Sequence, residues 1–301
     1  MDSVTHALVA VLLFHAPFPG WVVVFAILGA TLPDIDVFLK RISDRDPRLY
    51  IFSHGGFTHS IPGTLAVSTG IVLGFIAWQY SLNQVLEPSL LSMAFGLAFA
   101  GALTHIVLDA LAFPGIPLLY PATSRKYSAG IFLGPSLVFL AVSIGFLVMY
   151  LIGYIGIPAL SMYGIFGVVY ILAHVLLKVF IAANHEGMTI PTINPLKWLV
   201  IRESRDSYQV YYTGLRTRRS NMKVFARYEG VDRGFLNRHL LDPEMQRLAY
   251  YSYITVAGRE GEVVVVYDPI REEGLLYYPP SYTRVRLPWD GGGTADTPVL
   301  Y

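Results

Sequence analysis

The sequence predicts an α-helical polytopic membrane domain of about six helices, the first two short, followed by a small β-rich soluble domain. Two observations carry this. Residues 1–189 hold only 7 of the 22 Lys/Arg and 8 of the 21 Asp/Glu, so the first two thirds are starved of charge while the rest has an ordinary soluble composition. Long apolar runs fill the first part, and after Pro191 they give way to short stretches rich in Val, Tyr and Thr. The expected divisions are a membrane-embedded domain over 1–189, a β-rich domain over 190–290 and a flexible tail over 291–301.

The elements follow in order. A membrane helix needs about 20 mostly apolar residues. Runs 4–14 and 21–32 are too short for upright spans and are separated by Pro17, Pro19 and Gly20, so they read as a shallow helical hairpin. Runs 61–80, 88–113, 131–157 and 159–183 are long enough to cross, the last despite His174 and Lys178. Lys40, Arg41, Arg45 and Arg48 lie in the first long loop, Arg125 and Lys126 in a later one, and 15 basic residues follow Ala183. The turns near 83–87 and 153–158 carry none. This alternation predicts a multi-pass protein of the plasma membrane with both termini cytoplasmic. No cleavable signal peptide is expected, because no basic residue precedes the first apolar run.

In the tail, "YQVYYTGL", "MKVFARYE", "AYYSYITVAG", "GEVVVVYD" and "YTRVRLPW" read as strands, with one short helix near 243–248 and a flexible "GGGTADTP" at 291–298. This domain nominates no catalytic residue and reads as a cover for the site or an interaction module for a protein partner. A net charge of +1 and the lack of a basic stripe give no reason to expect nucleic acid. With no cysteine in the chain, thiolate metal sites, disulfides and cysteine nucleophiles are excluded.

Ionisable residues inside apolar runs are costly, about 2.5–3.5 kcal/mol for a carboxylate at a span centre, and call for partners. His6, Asp34 and Asp36 in "LPDID", His54 and His59 in "HGGFTHS", and His105 and Asp109 in "THIVLD" all fall at one expected membrane face, from four separate segments. His105 and Asp109 are spaced i, i+4 on one helix face. Pro33 ends the second helix and suggests an extended turn, in which Asp34 and Asp36 would point the same way. Thr5, Thr58 and Thr104 each precede a histidine and read as partners that orient the rings. Mixed His and carboxylate donors suit Zn²⁺ above all, with Mn²⁺ or Fe²⁺ as alternatives, and seven donors suggest two or more divalent ions. Asp34 or Asp36 could instead serve as general base. His174, His185 and Glu186 are additional candidate ligands, although His174 reads more simply as a buried histidine bonded to a neighbouring helix. Arg125 and Lys126 are candidates for binding a substrate phosphate, with positive-inside anchoring as the simpler account. His15 falls at the opposite end of the first helix.

"VTHA", "PDID", "HGGFTHS" and "THIVLD", in this order and spacing, resemble the YdjM-like family of membrane-bound predicted metal-dependent hydrolases over approximately residues 1–190. The resemblance implies a metal site made of His6, Asp34, Asp36, His54, His59, His105 and Asp109. It departs at Gly55, where the family often has arginine, and at Gly134-Pro135, where it often has Asp-Pro. The leading expectation is a hydrolase whose metal-activated water attacks an ester, a phosphoester above all, of a lipid or other amphiphilic, lipid-linked molecule at the cytoplasmic interface. The rivals are a metal-binding membrane regulator and a divalent-metal transporter. The near absence of polar residues in the outer helix halves counts against transport.

Overall fold

The computed structural model describes residues 1–85, 87–215, 220, 222–276 and 282–289. The expected tail over 291–301 lies outside them. The chain divides into two compact units: Met1–Asn184 with Ile190–Leu196, and His185–Thr189 with the described residues from Lys197 onward.

The first unit is helical. Asp2 caps α1 (Ser3–Phe14) by accepting from the Thr5 backbone N–H at 2.8 Å. α2 (Val23–Thr31) runs into a 3₁₀ segment, Leu32–Leu39, and then the short α3 (Lys40–Arg45). Ser60 caps α4 (Ile61–Ser81), its Oγ accepting from Gly63 N–H at 3.1 Å, with Pro62 in the first turn. α5 (Pro88–Ala110) also has proline in its first turn. A two-residue parallel pair, β1 (Ala112–Phe113) with β2 (Phe132–Leu133), leads to α6 (Leu137–Leu151) and α7 (Leu160–Asn184).

Among the described residues, three helices are long and apolar enough to cross a membrane: α4, α5 and Ile157–Asn184. On α7, Ile165, Val169, Leu172 and Leu176 are all more than half exposed, a surface that suits lipid. The count of about six spans is not matched by length. Of run 131–157, only the 15 residues of α6 are helical. At 1.5 Å per residue it covers about 22 Å, short of a hydrocarbon core of about 30 Å. Its earlier residues enter β2, and Ser136 caps the helix only afterwards. α1 and α2 are shorter still, with 12 and 9 residues.

α2 packs chiefly on α5, with α1 and α4 on its other sides, around Ala10, Phe25, Ala26, Ile71, Phe75 and Ala98. Two glycines make the α2–α5 contact close. A Cβ on Gly29 would stand 1.9 Å from the Ala98 carbonyl oxygen, and one on Gly101 would stand 2.0 Å from that of Ala26. Small residues let two backbones approach where a larger side chain would hold them apart. The consequence for the site is that the α2 backbone comes within hydrogen-bond reach of side chains on α5.

Among the described residues, two four-stranded sheets follow from Met188 onward. One has the order β3 (Met188–Pro191), β4 (Lys197–Glu203), β5 (Ser207–Gly214), β6 (Lys223–Ala226). In the other, β7 (Tyr228–Glu229), β8 (Val256–Glu260), β9 (Val263–Tyr267) and β10 (Arg284–Pro288) follow one another across the sheet. Val264, Val266, Val285 and Leu287 pack beneath Phe235 and Leu248. The sequence omits β3 and β4 and expects a single helix here. Among the described residues there are three: α8 (Arg233–Arg238), α9 (Pro243–Tyr251) and α10 (Pro269–Glu272). "AYYSYITVAG" is therefore a strand only from Val256 on.

Candidate metal centre

Six of the seven side chains expected to converge fall into two groups that share one ring, and His6 belongs to neither. Asp34, His59, His105 and Asp109 each offer a donor atom within 4.8 Å of the others, and Asp36, His54 and His59 form a second such set. The partition comes from the 3₁₀ segment. The expectation that Asp34 and Asp36 share a direction requires extended backbone. With three residues per turn, positions i and i+2 diverge instead, and the two carboxylates reach different atoms.

Each ring is held by a specific partner. His105 is fully buried, and its Nδ1 lies 2.7 Å from the Ala30 carbonyl oxygen. A carbonyl only accepts, so Nδ1 carries the proton and Nε2 presents a lone pair. His59 is also fully buried, with Nδ1 3.1 Å from Asp36 Oδ2 and 3.0 Å from Thr58 Oγ1. The Thr58 hydroxyl already donates to Asp36 at 2.5 Å, so the His59 Nδ1 is again the donor. The two Nε2 atoms face each other at 3.0 Å.

Carboxylates complete the arrangement. Asp34 Oδ1 stands 3.6 Å from both Nε2 atoms, and it is buried without a hydrogen-bond partner among the described residues. Its other oxygen accepts from Ser3 Oγ at 2.6 Å. Asp109 Oδ2 lies 3.2 Å from His59 Nε2 and 3.4 Å from His105 Nε2. Asp109 Oδ1 faces the Met1 amino group and, at 3.2 Å, His6 Nε2. His6 stacks on His105 with ring centroids 3.9 Å apart, and neither of its ring nitrogens makes a hydrogen bond among the described residues.

Two Nε2 atoms 3.0 Å apart repel as bare lone pairs, and either a proton on one of them or a cation between them removes that repulsion. The surrounding carboxylates favour positive charge at this point. Burial alone would lower the His59 pKa, yet Asp109, Asp34 and Asp36 reverse this and raise it well above the ordinary value. Burial alone would raise Asp34, but His59 and His105 outweigh it and hold the carboxyl well below its usual range. For Asp36, burial is likewise overcome, by hydrogen bonds from His54 and His59, and the carboxyl is brought down to about 2. Nitrogen and carboxylate donors this close fit a borderline divalent cation.

The remaining candidates lie elsewhere. His54 is brought to Asp36 and His59, with its side chain 38% exposed and its Nδ1 2.8 Å from Asp36 Oδ1. His174 Nδ1 bonds the Tyr170 carbonyl at 2.9 Å, and its ring packs against Phe132 and Tyr170. His185 meets Tyr211 Oη and Thr213 Oγ1 within the second unit, and Glu186 pairs with Arg202 at 2.6 Å. Arg125 is exposed, 5.9 Å from the centre of the Tyr127 ring, and Lys126 is half-buried. Of the three threonines, only Thr58 touches an imidazole. Thr5 bonds Asp2 and Ser143, and Thr104 bonds the Gly101 carbonyl. Sequence reading misses Ser3 and the Ala30 carbonyl. The first lies within the Asp2–Thr5 capping stretch, and the second, a backbone atom, leaves no signal in the sequence.

Apolar helices, three of them long enough to cross a membrane, carry a buried His/Asp cluster able to hold a metal ion. The molecule is thus a membrane protein with a candidate metal centre. The family model described as YdjM inner membrane protein matches residues 1–185, and the chain belongs to that family. The matched stretch contains every residue of the cluster. No characterised protein and no solved structure matches the chain.

Proposed function

We propose that this protein is a membrane-bound metal-dependent hydrolase that cleaves an ester, a phosphoester above all, of a lipid or lipid-linked substrate at the cytoplasmic interface. The observation that carries the reading is the convergence of the His59 and His105 Nε2 atoms, 3.0 Å apart, with Asp109 Oδ2 and the buried Asp34 Oδ1, which makes no hydrogen bond among the described residues. His59, His105, Asp34 and Asp109 would hold one divalent ion, Zn²⁺ in preference to Mn²⁺ or Fe²⁺. A second ion beside it, at His6 and Asp109 Oδ1, would have to displace the Met1 amino group. Such an ion acidifies bound water toward neutral pH and polarises a phosphoryl or carbonyl oxygen.

The chain's own contribution is positional. Ala30 and Asp36 fix the tautomers of the two buried rings, and those rings exclude water from one side. Asp34 and Asp109 keep side-chain exposures of 16% and 12%, so the open side of the centre is the carboxylate side, where a substrate can enter. Of the two candidate general bases, Asp36 is only 1% exposed, and Asp34 is committed to holding the ion. The cytoplasmic assignment is supported by the basic loops, and the lipid class by the apolar helices that carry the site.

The test is metal analysis of the purified full chain, wild type and His105→Ala, followed by hydrolysis assays on phosphodiester and carboxyl-ester panels. The expected result is bound metal in the wild type, its loss in the variant, and metal-dependent turnover of a phosphoester. Bound metal without turnover of any ester would leave a structural or regulatory centre.

A further inference from the structure

We propose that Asp36 is a positioning residue that orients His59 toward the ion from the far side of the ring, and that it is not itself a ligand. This rests on the metal-centre reading above, and it divides a set of seven residues that the sequence treats alike.

Three observations support it. First, the two nitrogens of an imidazole point away from each other across the ring. Asp36 Oδ2 sits at Nδ1, 3.1 Å away, whereas Asp34, Asp109 and His105 gather at Nε2. A carboxylate at Nδ1 cannot reach a cation bound at Nε2 of the same ring. Second, the oxygens of Asp36 are already engaged. Oδ2 accepts from Thr58 Oγ1 at 2.5 Å and from Gly55 N–H at 3.2 Å in addition to His59, and Oδ1 meets His54 Nδ1 at 2.8 Å. A carboxylate offers about four lone-pair positions, and four donors from one loop approach it. Asp34 presents the opposite picture, a buried Oδ1 with no hydrogen bond among the described residues. Third, the loop is shaped to this purpose. Gly55 has φ +73°, a left-handed conformation that favours glycine, and its N–H is one of the donors to Asp36. The "HGGFTHS" stretch is thus wrapped around Asp36, and His59 is the member of the loop that reaches through to the centre.

A carboxylate on the free nitrogen of a metal-binding histidine fixes the tautomer and raises the basicity of the ligating nitrogen, and its loss typically costs 10–100-fold in metal affinity. Removing a ligand instead lowers how much metal is bound. The experiment uses the full chain in nanodiscs, titrated with Zn²⁺ against a chromophoric chelator, for wild type, Asp36→Asn, Asp36→Ala and, as ligand control, Asp34→Ala, with thermal unfolding of each recorded.

The expected result is unchanged Zn²⁺ stoichiometry in both Asp36 variants. Affinity falls about 10–100-fold, less for Asn, which keeps an acceptor for Nδ1–H, than for Ala. Asp34→Ala loses stoichiometry. Unchanged affinity in both Asp36 variants, or a loss of stoichiometry matching that of Asp34→Ala, overturns the proposal and leaves the metal centre standing. A wild-type protein that binds no Zn²⁺ overturns both. Nitrogen-15 NMR of histidine-labelled wild type with Zn²⁺ settles the matter without a variant. Protonated Nδ1 and metal-bound Nε2 at His59 support the assignment, and metal on Nδ1 overturns it.

Discussion

The two units bury carboxylates and imidazoles in opposite ways. In the second unit Asp268 is fully buried, and both its oxygens take backbone donors, Oδ1 from Ile270 at 3.0 Å and Oδ2 from Tyr253 at 2.7 Å. His185 there contacts two hydroxyls. In the first unit Asp34 Oδ1 and both ring nitrogens of His6 are buried without hydrogen bonds among the described residues. Burying a polar group without a partner costs about 1–3 kcal/mol, more if it is charged. Asp268 uses its buried oxygens to close gaps in the nearby backbone. Asp34 Oδ1 and the His6 nitrogens are left open toward a shared point. The first pattern is structural, and the second is what a cation site requires.

The largest effect should come from breaking the open cluster. Asp109 faces His6 through one oxygen and His59 and His105 through the other. Asp109→Ala should therefore abolish stoichiometric metal binding and lower any hydrolysis at least about 100-fold, beyond the effect of an outer partner. Metal content and turnover check this. Next is Gly29→Leu. Its Cβ would stand 1.9 Å from a backbone oxygen, which cannot move aside as a side chain can. We expect a loss of more than about 3 kcal/mol, above the usual overpacking range, together with loss of metal, because the Ala30 carbonyl would leave His105. Thermal unfolding and metal analysis on the same sample read both.

The candidate site is largely legible in the sequence, because His and Asp stand out in apolar runs where charge is costly. Its internal division is not. Pro33 ends a helix whether the chain then extends or tightens into 3₁₀, and only the second outcome separates Asp34 from Asp36. The partner that fixes His105 is a carbonyl, and backbone atoms have no letter. In the second unit, "KWLVIRE" hides β4 as a plain apolar run, since four consecutive residues, Trp198–Ile201, are buried. "AYY" has strand-like tyrosines, but Asp242-Pro243 starts a helix before it. Burial of Met245, Leu248 and Tyr251 at helical spacing then outweighs that propensity.

A smaller effect tests the closed region. Burial pushes the Asp268 carboxyl up to about 6, against the pull of the Tyr253 and Ile270 N–H groups. An unfolded Asp titrates near 3.9. Between about pH 4 and 6 the folded chain keeps a proton that the unfolded chain has released, so stability falls as pH rises. The contribution is full below about 4 and lost above about 6. Denaturant unfolding followed through Trp198 and Trp289, in a Trp21→Phe/Trp78→Phe background, should show that decline. Asp268→Asn should flatten it and cost about 1–2 kcal/mol at low pH, because the side chain caps α10.

The smallest effect falls on His174, where the two patterns of burial meet on one residue type. Like His105 it is a buried histidine on a long apolar helix, and its Nδ1 also bonds a carbonyl. Its surroundings differ. Burial lines it with Phe132 and Tyr170 rings, with centroids 4.8 and 4.2 Å away, and neither donor set includes it. A ring that stacks on rings needs shape more than nitrogen. His174→Phe keeps the aromatic contacts and removes one hydrogen bond to a carbonyl that is four residues back in the same helix. We expect unchanged metal content and a stability change within about 1 kcal/mol. Loss of metal in this variant would mean that the centre extends to α7, which carries none of Asp34, His59, His105 and Asp109.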